Sequence, residues 1–126
     1  RRNIYVAQVD VTGCENTFEI EKRVRSFLEM SGYTKESLVK VELTGALDVE
    51  CEKNTDYLGK QFEQKFYAFK IKDNTIYNID YMSYEHDMSL KGEYIRNVMA
   101  RNDISEQDKA EIIRYGLQAL QGEEID

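Results

Sequence analysis

The sequence has 126 residues, of which 41% are hydrophobic and 33% charged, so it is long enough for one domain with a hydrophobic core and needs no disulfide or metal to hold it together. Its formal net charge of −7 argues against a module that binds nucleic acid by neutralising phosphates, because such modules are usually basic. The sequence contains no run of about 20 apolar residues, the length that a bilayer-spanning helix needs. The two arginines at the start are not followed by the apolar segment of a signal peptide.

The first half of the chain alternates between strand and helix patterns. Residues 4–11 alternate in polarity and predict a strand. Asn16 is a predicted helix N-cap, and Glu19 three residues later completes a variant of the capping box. The helix that follows carries apolar residues at helical spacing and is predicted to stop at Gly32.

The same alternation continues through the middle of the chain. Residues 38–47 predict a second strand, and a second helix is expected to start near Asn54 or Thr55. Residues 67–72 and 77–81 both alternate in polarity, with a tight turn between them, and therefore predict a hairpin.

After Tyr84 the apolar period changes from two to 3.6, which predicts two further helices, the second capped by Ser105 and Asp108. The order βαβαββ followed by αα predicts an α+β fold: a two-layer sandwich with helices on one face of a small mixed sheet, then two C-terminal helices. We expect the α+β domain to span residues 1–86 and the helical pair, packed on it or projecting, to span residues 87–126.

The sequence offers no convincing catalytic or metal site. His86 is the only histidine, whereas a catalytic metal usually needs three or more protein ligands, so we interpret it as a loop residue. Cys14 and Cys51 have no metal-binding spacing and are interpreted as the reduced thiols of a cytoplasmic protein. No phosphate-binding glycine motif or nucleophile triad occurs either. We therefore predict neither catalytic nor metal-binding residues and no cofactor within this chain.

Two sets of residues are candidates for contacts with other molecules. Lys91 and Arg96 flank Gly92 on the first C-terminal helix, and they favour contact with a parent enzyme or DNA about as much as tight packing within the domain. The apolar stripes of the two C-terminal helices are candidates for partner docking, although such stripes more often form a core. The docking candidates are Ile95, Met99, Ile113, Leu117 and Leu120.

Three stretches carry a resemblance to a known family: LVKVELTG at 38–45, SLKGEYIR at 89–96, and IIRYGLQAL at 112–120 with the QGEE that follows. Together they resemble the C-terminal region of bacterial metallophosphoesterases of the SbcD and YhaO kind, which are DNA-repair exonucleases. Since the chain starts with Arg1 and not Met, we expect it to begin inside a longer reading frame or to follow a trimmed tag.

The resemblance implies a role for this region but no catalytic residue in it. The family's N-terminal phosphoesterase domain binds two metal ions, usually manganese, through motifs such as G-N-H and G-H-x-H, and none of them occurs here. The resemblance implies a non-catalytic capping domain that gates DNA access to the nuclease site, with helices that dock an SbcC-type ABC ATPase. The alternative is a stand-alone α+β domain that senses a small molecule or binds a protein, and a small enzyme is a third possibility.

Overall fold

The computed structural model describes residues 2–125, with side chains up to Leu120. The strands are β1 (Ile4–Asp10), β2 (Leu38–Thr44), β3 (Ala46–Asp48), β4 (Ala68–Asp73) and β5 (Ile76–Asn78). The helices are α1 (Thr17–Ser31), α2 (Thr55–Phe62), α3 (Tyr81–Tyr84), α4 (Leu90–Met99) and α5 (Glu106–Ile125), and a short 3-10 turn, Glu63–Lys65, follows α2. The α+β fold class predicted from the sequence is confirmed.

Two compact units divide the chain, and the boundary differs from the one expected at residue 86. The first unit contains the chain up to Leu47 together with Cys51–Ile76. The second contains Asp48–Glu50 and the chain from Tyr77 onward. Tyr77 packs against the apolar core of the helices, which explains why the chain before α4 belongs to the second unit.

A three-stranded parallel sheet, in the order β1-β2-β4, forms the centre of the first unit. The sheet is wholly parallel and not mixed as predicted, because each strand is joined to the next by a helical crossover. One face is apolar and buried, with Val39, Val41 and Leu43 of β2 at most 3% exposed. On the opposite face the side chains of β1 lie open, and Ile4 and Val6 are 75% and 61% exposed.

The predicted helix ends of the first unit are confirmed. The Asn16 side chain accepts a hydrogen bond from the Glu19 backbone N–H, and the Asn54 side chain caps α2 by accepting from the Tyr57 N–H. Gly32 ends α1 in the left-handed conformation, with φ of 78°.

The predicted second strand is divided at Gly45, whose φ of 104° is accessible to glycine but costly for other residues. A side chain at this position would also collide with the Thr12 hydroxyl. The predicted hairpin of the last two strands is wrong, since β4 pairs with β2 in parallel and β5 pairs with β3. Alternating polarity identifies a strand but not its pairing partner, so the sequence alone did not distinguish a hairpin from pairing with earlier strands.

The second unit is a small helical unit with its own core. Tyr84 of α3, Ile95 and Val98 of α4, and Ala110 and Ile113 of α5 are buried together. The predicted cap of the last helix is confirmed, because the Ser105 side chain accepts a hydrogen bond from the N–H of Asp108. Ser89 caps α4 in the same way by accepting from the N–H of Gly92. Among the described residues, no helix combines the length and the apolar composition that a membrane span requires.

Candidate functional site

Lys91 lies in a polar cluster within the helical unit. Its Nζ lies 2.8 Å from Oε1 of Glu50, and the other carboxylate oxygen of Glu50 accepts a hydrogen bond from the Tyr84 hydroxyl. Partial burial raises the pKa of Glu50, but the hydrogen bonds from Lys91 and Tyr84 outweigh it and lower that pKa overall. Burial, together with the bond to Glu50, raises the pKa of the Tyr84 hydroxyl, which therefore remains a donor. The cluster links the 48–50 segment to α3 and α4.

Arg96 stabilises the turn between α3 and α4. Its Nη1 donates to the carbonyl oxygens of Tyr84, at 2.9 Å, and Asp87. Gly92 is buried against the same turn, since a Cβ built on it would lie 2.5 Å from the Asp87 carbonyl oxygen. The close approach that the sequence predicted at Gly92 is therefore made within the unit. Both basic candidates, Lys91 and Arg96, are engaged in the structure of this unit, so neither contact supports a role in binding DNA.

The five docking candidates lie at different depths. Ile95 and Ile113 are completely buried in the core of the helical unit and are not on a surface that a partner could touch. Met99 and Leu117 pack partly buried against this core, and Leu120 is half-buried. A helical stripe predicts burial equally well against the chain itself and against a partner, so sequence alone could not distinguish these residues.

A shallow apolar groove lies on the surface of the helical unit beside α3 and α4. It has a volume of about 350 Å³. Met82 projects into solvent at its edge with 82% of its surface exposed. The residues that line this groove, called the α3–α4 groove below, are Tyr81, Met82, Glu85, Arg96, Met99 and Ala100. Of these, sequence reasoning proposed Arg96 and Met99 as contact residues.

Sequence reasoning missed most of the α3–α4 groove because residues 77–81 were predicted to form a strand, whereas Tyr81 starts the short helix α3. Two more apolar side chains, Met88 and Leu90, are 90% and 67% exposed near the start of α4. Leu90 occupies the first helical position after the Ser89 cap and is not among the residues of the core of the helical unit. The methionines themselves were a signal that could have been followed, since exposed methionines are frequent at adaptable binding surfaces.

The helix α5 presents an acidic surface because its basic side chains point inward. Lys109 is only 7% exposed, and its Nζ donates to the Met99 carbonyl oxygen at 2.9 Å. Arg114 donates to the Val49 carbonyl oxygen and lies over the Tyr77 ring. The exposed acidic residues of the first turns are Glu106, Asp108 and Glu111.

The candidates for chemistry remain apart. His86 lies exposed in the turn after α3, in agreement with its interpretation as a loop residue. Cys14 and Cys51 are buried in the first unit, and no disulfide joins them. Within the part of the chain that the structure describes, no three histidine, cysteine or acidic residues are grouped as a metal site would require.

Comparisons of this chain with family models, with curated proteins and with solved structures find no match.

Proposed function

We propose that this chain is a non-catalytic accessory region of a cytoplasmic DNA-repair exonuclease of the SbcD kind. In this proposal the manganese-dependent phosphoesterase chemistry belongs to another domain of the parent enzyme. The chain gates DNA access to that domain, docks an SbcC-type ABC ATPase, or does both. The three sequence stretches that resemble the SbcD and YhaO proteins support this assignment.

The main support for docking of a partner protein is the α3–α4 groove. Methionine side chains fill irregular spaces and tolerate different partners, and Met82 and Met88 are 82% and 90% exposed. Exposed apolar surface rimmed by polar groups is typical of protein-binding sites, and here Glu85 and Arg96 stand beside Met82 and Met99. We therefore propose that this groove, and not the buried Ile95 and Ile113, receives the partner.

The charge distribution favours protein docking over direct DNA binding by the helical unit. From Asn102 onward the sequence has seven acidic and two basic residues, and the two basic ones, Lys109 and Arg114, are bound to carbonyl oxygens of the unit itself. An acidic surface repels phosphates but is complementary to a basic protein surface, which accelerates encounter and selects partners. Gating of DNA would then be steric, through the position of the domain in the parent enzyme.

Isothermal calorimetry between this chain and an SbcC-type ATPase tests the docking proposal. We expect binding with a dissociation constant of roughly micromolar or tighter, and we expect Met82→Asp to weaken it about tenfold or more, because the substitution places a charge on the apolar surface of the groove. Met30→Asp is the matched control, since Met30 is equally exposed, at 88%, but belongs to the first unit. No binding by the wild-type chain, or equal effects of the two substitutions, would contradict docking at the groove.

The alternative of a small-molecule sensor predicts a polar-lined pocket between helices and sheet. The α3–α4 groove belongs instead to the helical unit, and Tyr81, Met82, Met99 and Ala100 make most of its lining apolar. A groove of this kind fits an apolar side chain of a protein better than a small polar ligand, which needs several convergent polar groups. The small-molecule sensor is therefore the second hypothesis, after partner docking.

A further inference from the structure

Strand β1 forms an edge of the parallel sheet, and its outward backbone groups can be identified from the hydrogen bonds on its inner side. The Leu38 N–H donates to the Asn3 carbonyl, and the Val11 N–H donates to the Thr44 carbonyl. Backbone groups alternate in direction along a strand, so the odd-numbered residues of β1 face β2 and the even-numbered ones face outward. Three residues, Ile4, Val6 and Gln8, therefore present N–H and C=O groups at the edge, while the outward carbonyl of Asp10 accepts from Arg23.

The two edges of this sheet differ in how well they are protected. Natural edge strands are kept from pairing by lysine, proline, bulges or a covering segment. The odd-numbered residues of β4 present their backbone groups at the other edge, because the Asn74 N–H donates to the Leu43 carbonyl of β2. The exposed face of β4 carries Lys70 and Lys72, so two copies of this strand would bring like charges together. The outward residues of β1 carry no lysine, and two of them are apolar and exposed, Ile4 at 75% and Val6 at 61%. Of the two edge strands of this sheet, β1 is therefore the one whose exposed side chains favour pairing with another strand.

The charges at the ends of β1 indicate what that partner is. A basic residue, Arg2, lies just before the strand, where its side chain contacts Glu36 at 3.6 Å and lies over the Tyr67 ring. An acidic residue, Asp10, is the last residue of the strand, and its exposed carboxylate accepts hydrogen bonds from Thr12. When two copies pair antiparallel with Val6 opposite Val6, Ile4 lies opposite Gln8 and Arg2 lies opposite Asp10. At both ends, pairing exchanges the exposed contact of Arg2 with Glu36 for a contact with Asp10 of the second copy, and opposed charges of this kind stabilise a strand pair. A shift of two residues would instead put Ile4 opposite Asp10 and lose this match.

We propose that two copies of this chain associate through β1, with antiparallel pairing centred on Val6, to form a continuous six-stranded sheet. The contact is its own complement, as a two-fold dimer requires. It supplies up to about six hydrogen bonds between the strands and places the two Val6 side chains against each other. The surface is small, so the dissociation constant is expected to be roughly micromolar or weaker. It uses residues of the first unit only and does not depend on the proposed docking at the α3–α4 groove.

Sedimentation equilibrium of the 126-residue chain from about 1 µM to about 500 µM tests this dimer. We expect a monomer–dimer equilibrium, and we expect Val6→Lys to raise the dissociation constant roughly tenfold or more, since it opposes two charges at the centre of the contact. Ala68→Lys is the matched control, because it adds the same charge to an exposed position on the other edge strand. Circular dichroism checks that both variants keep the wild-type fold.

Disulfide trapping tests the register. Directly opposed, hydrogen-bonded residues have Cα atoms about 5.5 Å apart, which is within the range of a disulfide. Under mild oxidation Val6→Cys should therefore form a covalent dimer, whereas Gln8→Cys should not, since the two copies of that position are about 13 Å apart in this register.

A wild-type chain that stays monomeric throughout would overturn the proposal and leave the β1 edge to a different chain. Equal dimerisation of Val6→Lys and Ala68→Lys, or preferential trapping through position 8, would overturn it as well.

Discussion

At Gly92 the chain approaches itself so closely that a side chain does not fit. A Cβ at this position would lie 2.5 Å from the carbonyl oxygen of Asp87 and 2.6 Å from its Cβ. Because a backbone atom cannot move aside as a flexible side chain can, the collision must be relieved by shifting the turn that Arg96 also holds. Glycine costs about 1 kcal/mol against alanine inside a helix, so its use here reflects packing and not helix propensity.

We expect Gly92→Ala to lower the free energy of unfolding by about 1–3 kcal/mol, because overpacking outweighs the gain in helix propensity. Gly59, inside α2, is the matched control, since a Cβ there meets nothing within 4 Å. Gly59→Ala should therefore raise the free energy of unfolding by about 0.5–1 kcal/mol. Urea titrations followed by circular dichroism measure both effects, and equal signs for the two substitutions would contradict the packing argument.

The Glu50 cluster predicts a dependence of stability on pH. The folded state lowers the pKa of Glu50 below its ordinary value of 4.5 through the hydrogen bonds of Lys91 and Tyr84. A lowered pKa means that the unfolded chain takes up the proton first as the pH falls. The contribution of Glu50 to stability is therefore present above pH 4.5 and is lost as the pH falls through the folded pKa.

We expect Glu50→Gln to lower the free energy of unfolding at neutral pH and to have a smaller effect at an acidic pH below the lowered pKa of the wild-type carboxyl, where that carboxyl is itself protonated. Urea titrations at the two pH values measure the difference between variant and wild type, which removes the contribution of the other carboxyls. Glu111→Gln, at an exposed position of α5, is the control. A difference for Glu50→Gln that stays the same at both pH values would show that the cluster does not act through its charge.

At the scale of elements, helix α4 packs on α5 through a tyrosine over a glycine. A side chain at Gly116 would collide with the ring of Tyr94, so the absence of one lets the ring lie against α5. The Tyr94 hydroxyl then donates to the Ile112 carbonyl oxygen at 2.6 Å. Tyr94 and Gly116 both lie in stretches that carry the family resemblance, but helical periodicity does not predict which tyrosine packs on which glycine.

Removing the Tyr94 hydroxyl tests this contact without changing the packing of the ring. We expect Tyr94→Phe to lower the free energy of unfolding by about 0.5–1.5 kcal/mol, the net value of one hydrogen bond. Tyr115→Phe is the control, because Tyr115 is 78% exposed on the same helix pair. Thermal unfolding of the two variants should separate them, and identical midpoints would mean that water replaces the bond at no cost.

At the scale of elements, the sequence predicted the features that depend on neighbouring residues and missed those that depend on contacts between distant segments. Local signals were sufficient for the caps at Asn16 and Ser105 and for the stop at Gly32, because each depends on residues within one turn. The pairing of β4 and β5, and the interruption at Gly45, depend on contacts between distant parts of the chain. The shape of the α3–α4 groove also depends on such contacts, since its lining brings Tyr81, which periodicity assigned to a strand, together with Arg96 and Met99 of α4.

At the scale of the whole molecule, the charge pattern restricts how this chain could take part in the DNA gating that we propose. The net charge is −7, and the basic candidates Lys91 and Arg96 contact Glu50 and the turn before α4. Affinity for duplex DNA comes largely from the release of counterions when basic side chains neutralise phosphates. A gating domain with this charge would act by its position in the parent enzyme, with little affinity of its own.

We therefore expect the isolated chain to bind a short DNA duplex more weakly than about 100 µM at 150 mM salt, the weak end of non-specific binding. Lowering the salt to about 50 mM should strengthen it little, because few phosphates are neutralised. Fluorescence anisotropy with a labelled duplex measures both values, and Lys91→Glu should leave them unchanged since Lys91 contacts Glu50. Micromolar binding with a steep salt dependence that Lys91→Glu removes would instead identify α4 as a DNA-binding helix. Gating by position would then have to be replaced by gating through direct contact.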